Sequence, residues 1–188
     1  MTDDPGSRRL EIAVSLHDAA WLDAVADLED RARAVVSAAL RHAAAAGMEL
    51  GSGPLEISVV FTDDAEQRSL NRAWRGKDSA TNVLSFPNMD DAAAPAAAPG
   101  GPPRLLGDIV LARETVQREA QAQGKTLTDH SSHLLVHGVL HLLGYDHLEE
   151  AEAAEMETLE TEILAAMGIA DPYVAGPQAA RAGAVDLG

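Results

Sequence analysis

Cysteine is absent from this chain of 188 residues. Its absence excludes a disulfide framework, a thiolate nucleophile and any metal or iron–sulfur centre held by thiolates. If the protein binds a metal ion, His, Asp or Glu side chains must hold it.

Long apolar segments are also lacking. No stretch approaches the roughly 20 apolar residues that a helix needs to span a bilayer. Residues 1–6 are acidic and polar, without the basic and apolar regions of a signal peptide. We therefore expect a cytoplasmic protein that makes no contact with a membrane.

Basic and aromatic residues are scarce. Fourteen Lys and Arg stand against 30 Asp and Glu, which gives a formal net charge of −16. This balance argues against broad electrostatic capture of a polyanion. With two Trp, two Tyr and two Phe, the chain has too few aromatic rings for a series of base-stacking platforms. Any contact with nucleic acid must therefore be local.

The composition is nevertheless that of a folded protein, because 46% of the residues are hydrophobic and 23% are charged. The length suits one domain. Strand patterns, alternating or β-branched, occupy four segments: 10–16, 55–61, 83–86 and 109–111. Helical patterns with start or stop residues occupy five: 27–46, 63–74, 114–123, 126–143 and 149–167.

Two segments have compositions that cannot bury much surface. Residues 88–103 are almost entirely Ala, Pro, Gly and Asp, which predicts a flexible loop. The residues after 173 have the character of a disordered tail. We expect one domain over residues 1–173 and a tail over 174–188.

The predicted helix over 63–74 departs locally from the acidic balance. Arg68, Arg72 and Arg75 follow one another at i, i+4 and i+7, on one face, and Lys77 comes next. This basic stripe could guide an RNA strand, or its arginines could simply pair with nearby acidic residues.

The predicted last helix is rich in glutamate. Seven Glu lie between residues 149 and 162, beside an apolar stripe of Met156, Leu159, Ile163 and Met167. We interpret the acidic face as solvated, with a surface for a partner protein as the alternative.

Histidines provide the most informative pattern. On a helix, His137 and His141 project from the same face about 6 Å apart along the axis, so both imidazoles can reach one metal ion. Gly144 allows a left-handed end to the helix, after which the chain can bring His147 back as a third ligand. Three imidazoles without a thiolate suit zinc, and three protein ligands leave one position for water or substrate.

Four other histidines lie outside this set. His133 and His137 form an equally good i, i+4 pair, but His130 and His133 have no third histidine at a workable spacing nearby. His17 and His42 are interpreted as ordinary core or surface residues.

The spacing H-x3-H-x2-G-x2-H matches that of the metzincin proteases, which place Glu directly after the first His as general base. Here that position is Gly138. Without the carboxylate, peptide hydrolysis loses the group that activates water and carries protons, so a protease is disfavoured.

Several motifs together resemble a known family, the bacterial ribosome-maturation endoribonucleases called YbeY. The resemblance covers about residues 10–173 and rests on HGVLHLLGYDH at 137–147, LN at 70–71, RGKD at 75–78, TNVLSFP at 81–87 and GDIV at 107–110. The glutamate-rich final helix and the DPY sequence at 171–173 also agree.

The resemblance implies a small α+β domain, with a mixed sheet of about four strands packed by about five helices and a metzincin-like zinc-binding helix. It further implies one Zn²⁺ ion held by His137, His141 and His147, and single-strand-specific cleavage of RNA. Arg75 matches an arginine that the family places near the metal. The implied work is maturation of the 3′ end of 16S rRNA and ribosome quality control, with the 16S rRNA precursor, the small ribosomal subunit and an assembly GTPase as partners and no DNA.

The predicted mechanism has zinc polarise a phosphate oxygen or activate a water while Arg75 pairs with the phosphodiester. Asp146 could orient a ligand histidine or serve the turn. Asp78, Thr81 and Asn82 are expected to shape a loop.

Two alternative functions stay open at this point. One is a metal-dependent hydrolase of a peptide or small molecule. The other is a non-catalytic ribosome-assembly factor with a structural zinc.

Overall fold

A computed structural model describes residues 9–88, 100–145 and 150–174. These residues form four strands: β1 (Leu10–Leu16), β2 (Leu55–Thr62), β3 (Val83–Pro87) and β4 (Arg104–Ala112). They form six helices: α1 (Ala20–Ala24), α2 (Leu28–Ala45), α3 (Asp64–Arg75), α4 (Arg113–Ala122), α5 (Leu127–Leu142) and α6 (Glu150–Ala166). Nine of these ten elements were predicted. The short helix α1 was not, because five residues are too few to show a helical period.

The four strands form one mixed sheet in the order β1-β2-β4-β3. β1, β2 and β4 are parallel, whereas β3 pairs with β4 in antiparallel orientation. On β2, the alternating residues Leu55, Ile57, Val59 and Phe61 are almost completely buried, so one face of the sheet supports the core. The expected α+β fold with a four-stranded mixed sheet is confirmed, and β4 extends well beyond the predicted 109–111.

Helix α5 occupies the centre of the molecule, where it packs against α2, α4, α6, β3 and β4. It approaches the sheet closely at Gly138. A Cβ at that position would lie 2.9 Å from the Ile109 Cγ2 atom, too close for any side chain unless Ile109 or the helix shifts. Gly138 therefore fixes how α5 rests on β4 and which of its faces points away from the sheet.

The segment between α3 and β3 is held by buried amides. Gln67, which is fully buried, donates from Nε2 to the Val110 carbonyl at 3.2 Å and accepts from the Thr81 amide at 2.8 Å. Asn71 donates to the Ser79 carbonyl at 2.7 Å. Gln67 thus fastens α3 to β4, and Asn71 fastens the C-terminal half of α3 to the segment that leads into β3.

Some predictions concern residues that lie partly or wholly outside the described ones. This holds for positions 89–99 of the proposed loop 88–103, for nearly all of the proposed tail 174–188, and for Asp146 and His147. The division into a domain over 1–173 and a tail stays a prediction. In the part of the chain that the structure describes, no helix is long and apolar enough to cross a membrane.

Candidate metal centre

Local sequence sets both ends of α5. The Thr126 hydroxyl oxygen caps the first turn by accepting from the Asp129 amide at 3.0 Å. At the other end, Gly144 has φ +93°, the left-handed conformation predicted for it. Between these ends four histidines lie in sequence along the helix: His130, His133, His137 and His141.

The structure brings His137 and His141 together as predicted. Their Nε2 atoms lie 3.0 Å apart, and both side chains are partly exposed. Two imidazoles bound to one tetrahedral zinc at 2.0–2.1 Å would have their nitrogens about 3.3 Å apart. The two rings are thus close to the spacing that a shared metal ion requires.

A buried carboxylate contacts His137 from the side away from His141. Glu160, on α6, is fully buried. Its Oε1 atom lies 2.7 Å from His137 Nδ1 and its Oε2 atom 2.8 Å from His133 Nε2. The hydroxyl of Tyr173 also donates to Oε2. One carboxylate therefore accepts from three side chains.

These contacts determine the charge of Glu160. Burial would raise the pKa of its carboxyl, but the hydrogen bonds with His133, His137 and Tyr173 outweigh burial and lower the pKa to about 2. Burial, together with the hydrogen bond to Glu160, raises the pKa of the Tyr173 hydroxyl. At neutral pH the group is a carboxylate that only accepts, and the phenol remains a donor.

The alternative pair, His133 with His137, is not arranged like His137 with His141. The rings of His133 and His137 have their centroids 6.4 Å apart, and both turn a nitrogen towards Glu160. The next histidine, His130, is paired with a different carboxylate, since its Nε2 atom lies 2.9 Å from Glu119 Oε2. Burial lowers the pKa of His130, an effect that the bond to Glu119 only partly offsets. His137 and His141 are thus a pair whose Nε2 atoms face each other, whereas His130 and His133 face carboxylates.

Arg75 faces the histidine pair across a cavity of about 430 Å³. Arg75, His137 and His141 line it together with four residues of the loop and edge strand: Asn82, Val83, Ser85 and Pro87. The guanidinium of Arg75 is exposed and donates to the Ser85 carbonyl at 3.4 Å. It makes no ion pair with any residue that the structure describes. The arginine expected near the metal is thus placed beside the two imidazoles.

The rest of the basic stripe behaves differently. Arg68 forms a two-pronged ion pair with Asp78, at 2.8 Å from Nε and 2.9 Å from Nη2, so the simple pairing interpretation applies to it. Arg72 and Lys77 are exposed. The loop residues also behave as expected: Asp78 binds Arg68, and Asn82 Oδ1 accepts from the Val83 amide at 2.7 Å.

The two histidines set aside in the sequence make ordinary contacts. His17 lies 3.0 Å from the Glu66 carboxylate, and His42 Nδ1 lies 2.9 Å from the Ala38 carbonyl in its own helix. Neither lies at the cavity that Arg75 lines.

The solvated interpretation of the acidic helix is wrong for one of its residues, because Glu160 is buried. A signal was available in the sequence. Glu160 follows Leu159 directly, three residues before Ile163 and four after Met156, so it lies inside the apolar stripe of α6. A carboxylate at a buried position must be paired, and the helix rich in histidine was the obvious source of partners. The sequence also does not predict that Tyr173 and His133 contact Glu160.

The donor set at this place fits a zinc ion in its chemistry. Imidazole nitrogens are preferred zinc ligands, and the Glu160 contact leaves the Nε2 atom of His137 directed at that of His141. Within the described residues, no group of three His, Asp or Glu side chains is placed to hold a metal ion. A third ligand from this chain would come from outside those residues, where His147 lies.

Comparison with known proteins places these observations in context. A family model described as Endoribonuclease YbeY matches residues 21–168. A protein named Endoribonuclease YbeY from Paramagnetospirillum magneticum is 54% identical over 164 residues, which are 87% of this chain and 96% of the relative. Its counterpart from Parvibaculum lavamentivorans is 49% identical over 174 residues, covering 90% and 93%. The solution structure of TM1509 from Thermotoga maritima is 20% identical with a TM-score of 0.48, covering 87% of this chain and 99% of that one.

Proposed function

Because this chain belongs to the YbeY endoribonuclease family, we propose that it is a zinc-dependent endoribonuclease that cleaves single-stranded RNA. Its membership supports the hydrolysis of RNA phosphodiester bonds. The finer proposal adds one Zn²⁺ ion, held by His137, His141 and His147, and Arg75 as the residue that contacts the scissile phosphate.

One observation carries the proposal, namely that the histidine pair and Arg75 line the same cavity. Two nitrogens 3.0 Å apart provide half of a tetrahedral zinc shell. Across from them, an exposed guanidinium has no carboxylate partner among the described residues. A site that combines a metal with an available arginine suits a phosphodiester, which carries negative charge in the ground state and more in the transition state.

A zinc ion bound there would supply a Lewis acid and a water with a pKa near 7. The residues of the chain supply the rest. Arg75 can hold two phosphate oxygens at once through its planar guanidinium. Its hydrogen bond to the Ser85 carbonyl, in the edge strand β3, links the guanidinium to a second residue that lines the cavity. Glu160 contacts the His137 ring at Nδ1, which leaves Nε2, on the side of His141, as the atom that would bind a metal ion.

The structure gives a physical reason against peptide hydrolysis by the metzincin mechanism. The position that carries the catalytic Glu in those proteases is Gly138, which faces Ile109 on the sheet rather than the cavity. Glu160 is not a substitute, since its two oxygens are already engaged by His133 and His137.

The biological setting is proposed from the family. We propose that the substrate is the precursor of 16S rRNA, cleaved during 3′-end maturation and ribosome quality control in the cytoplasm. The small ribosomal subunit and an assembly GTPase are the proposed partners. With a net charge of −16, the protein repels polyanions at long range, which supports delivery of the RNA by such partners.

Metal analysis coupled to RNA cleavage tests the proposal. The purified protein should contain about one zinc per chain, as in three-histidine sites, and should cut a single-stranded RNA. The variants His137→Ala, His141→Ala and His147→Ala should each lose zinc and lose cleavage by at least about 100-fold, since the metal activates the nucleophile. Analysis of the new RNA ends distinguishes attack by water from attack by the ribose 2′-hydroxyl.

His42→Ala is the matched control, because this histidine hydrogen-bonds within α2. It should keep zinc and full activity. Cleavage that persists in a zinc-free His141→Ala protein would refute the proposal. Loss of the fold whenever zinc is removed would favour a structural zinc in an assembly factor instead.

A further inference from the structure

Glu160 differs from every other glutamate on α6 that the structure describes, because it alone is buried. It lies among Met156, Ile163 and Leu164, which are themselves buried. An ionised carboxylate in such surroundings costs several kcal/mol unless it is well paired. A plain structural role would be served better by an apolar side chain at this place, so the contacts of Glu160 need another explanation.

Those contacts determine which ring nitrogen carries a proton in two histidines. A carboxylate only accepts hydrogen bonds. His137, at 2.7 Å, must therefore carry its proton on Nδ1, and His133, at 2.8 Å, must carry its proton on Nε2. In a neutral His137 ring this leaves a lone pair on Nε2, the atom that faces His141 Nε2. A ring with the opposite proton arrangement could not bind a metal through that atom.

A segment after α6 completes the arrangement. Tyr173 donates its hydroxyl to Glu160 Oε2, and its ring packs edge-on against His133 with centroids 5.6 Å apart. Its amide donates to the Asp171 side chain at 2.9 Å. The Pro172 carbonyl accepts from Lys125, which lies two residues before α5. The segment is thereby tied to both the carboxylate and the helix that carries the histidines.

We propose that Glu160 is a positioning residue for the metal centre, which fixes the proton arrangement and orientation of His137 while His133 and Tyr173 hold the carboxylate in place. This inference rests on the proposed zinc-dependent function and adds three residues that act through His137. His133 is then a structural donor, although it lies one helical turn from a proposed ligand.

The direct test replaces Glu160 by Gln, which has the same shape. A carboxamide offers one accepting oxygen and one donating NH₂ group, so it cannot accept from both histidines. We expect Glu160→Gln to weaken zinc binding by about 10- to 100-fold, as for other residues that orient metal ligands. Competition with a chromophoric chelator measures the affinity. Long-range ¹H–¹⁵N spectra of the metal-free protein should show that one of the two rings changes its protonated nitrogen.

Glu162→Gln provides the matched control, because Glu162 is exposed on the same helix and should leave zinc affinity and ring protonation unchanged. Tyr173→Phe removes one donor to Glu160 but keeps the ring against His133. It should weaken zinc binding by a few-fold, less than Glu160→Gln does. This second variant decides the matter if Glu160→Gln fails to fold.

The results separate this inference from the proposed function. Zinc affinity within twofold of wild type in Glu160→Gln, with both rings protonated as before, would overturn the positioning role. So would an unchanged affinity in Tyr173→Phe if the first variant does not fold. Neither result would affect the proposed function, which is tested separately by the zinc content, cleavage activity and folding of the His137→Ala, His141→Ala and His147→Ala variants.

Discussion

Helix α3 repeats arginine along one face and helix α5 repeats histidine along one face, yet the two faces differ in burial and in the partners of their side chains. The arginines of α3 are exposed, and Arg68 is taken up by a surface carboxylate. The histidines of α5 are buried or half-buried, and acidic residues from α4 and α6 contact three of them.

The difference arises from what lies on the opposite side of each helix. Gly138 lets α5 lie so close to β4 that its histidine face has one fixed direction. Helix α3 buries only Gln67 and Asn71, which orient its end but leave its arginines in water. A helical repeat of one residue type thus yields a preorganised site on α5 and a solvated surface on α3, where Arg75 differs from Arg68 and Arg72 in lining the cavity.

Substitution of Arg75 should have the largest effect on RNA cleavage. Arg75→Ala should lower the rate of RNA cleavage by about 10²-fold, the usual loss when one donor to a transition-state anion is removed, while zinc stays bound. Initial rates on a single-stranded RNA, measured with zinc content, test this.

Arg68→Ala is the companion variant, because that guanidinium already binds Asp78. Its cleavage rate should stay within about threefold of wild type, as expected for an exposed ion pair. Equal losses in the two variants would mean that α3 acts as a diffuse basic surface and that Arg75 is not distinct.

The sheet contact of α5 gives an effect of intermediate size. Gly138→Ala should destabilise the protein by about 1–2 kcal/mol, since overpacking outweighs the gain of Ala in a helix. Zinc affinity should fall with it as α5 moves. Urea denaturation measures the free energy of unfolding.

The contact with Ile109 can be verified by a double variant. If the 2.9 Å approach is the cause, Ile109→Ala should relieve part of the strain, so that the double variant loses less stability than the two single variants summed. Strict additivity would show that the helix yields elsewhere.

The smallest expected effect concerns pH. Burial lowers the pKa of His130 in the folded protein below its ordinary 6.5. As the pH falls below 6.5, the His130 ring is protonated in the unfolded chain before it is protonated in the folded protein. Protonation therefore stabilises the unfolded chain, and the free energy of unfolding decreases. His130→Gln should flatten the decline in unfolding free energy between pH 7.5 and pH 5.5, measured with zinc removed. Parallel curves for the two proteins would contradict this.

Much of the fold could be predicted because local signals agree with it. The alternation at 10–16 and the glycine at 144 both correspond to observed features. The proximity of His137 and His141 followed from helical spacing alone. Each of these features depends only on residues close to one another in the sequence.

What could not be predicted depends on contacts between elements. The apolar stripe of α6 predicts that Glu160 is buried, but nothing in the sequence shows which histidines its carboxylate contacts, and His137 is 23 positions away. The sequence shows that Gly138 occupies the position of the catalytic Glu of the metzincins. Why a glycine is needed there, namely the close contact with Ile109, is visible only when α5 is packed on the sheet. The third proposed ligand, His147, stays a prediction.

The pairing of β3 with β4 has a consequence for how chains of this kind can vary in length. The ladder closes at Pro87 opposite Gly107, and the Asn88 amide donates to the Leu106 carbonyl at 3.1 Å just beyond it. Residues inserted beyond this hydrogen bond lengthen the connection between β3 and β4. Each doubling of its length costs about 0.6 kcal/mol of loop-closure entropy. The connection between β3 and β4 can therefore vary in length at small cost. The positions of Arg75, His137 and His141, which depend on other elements, need not change with it.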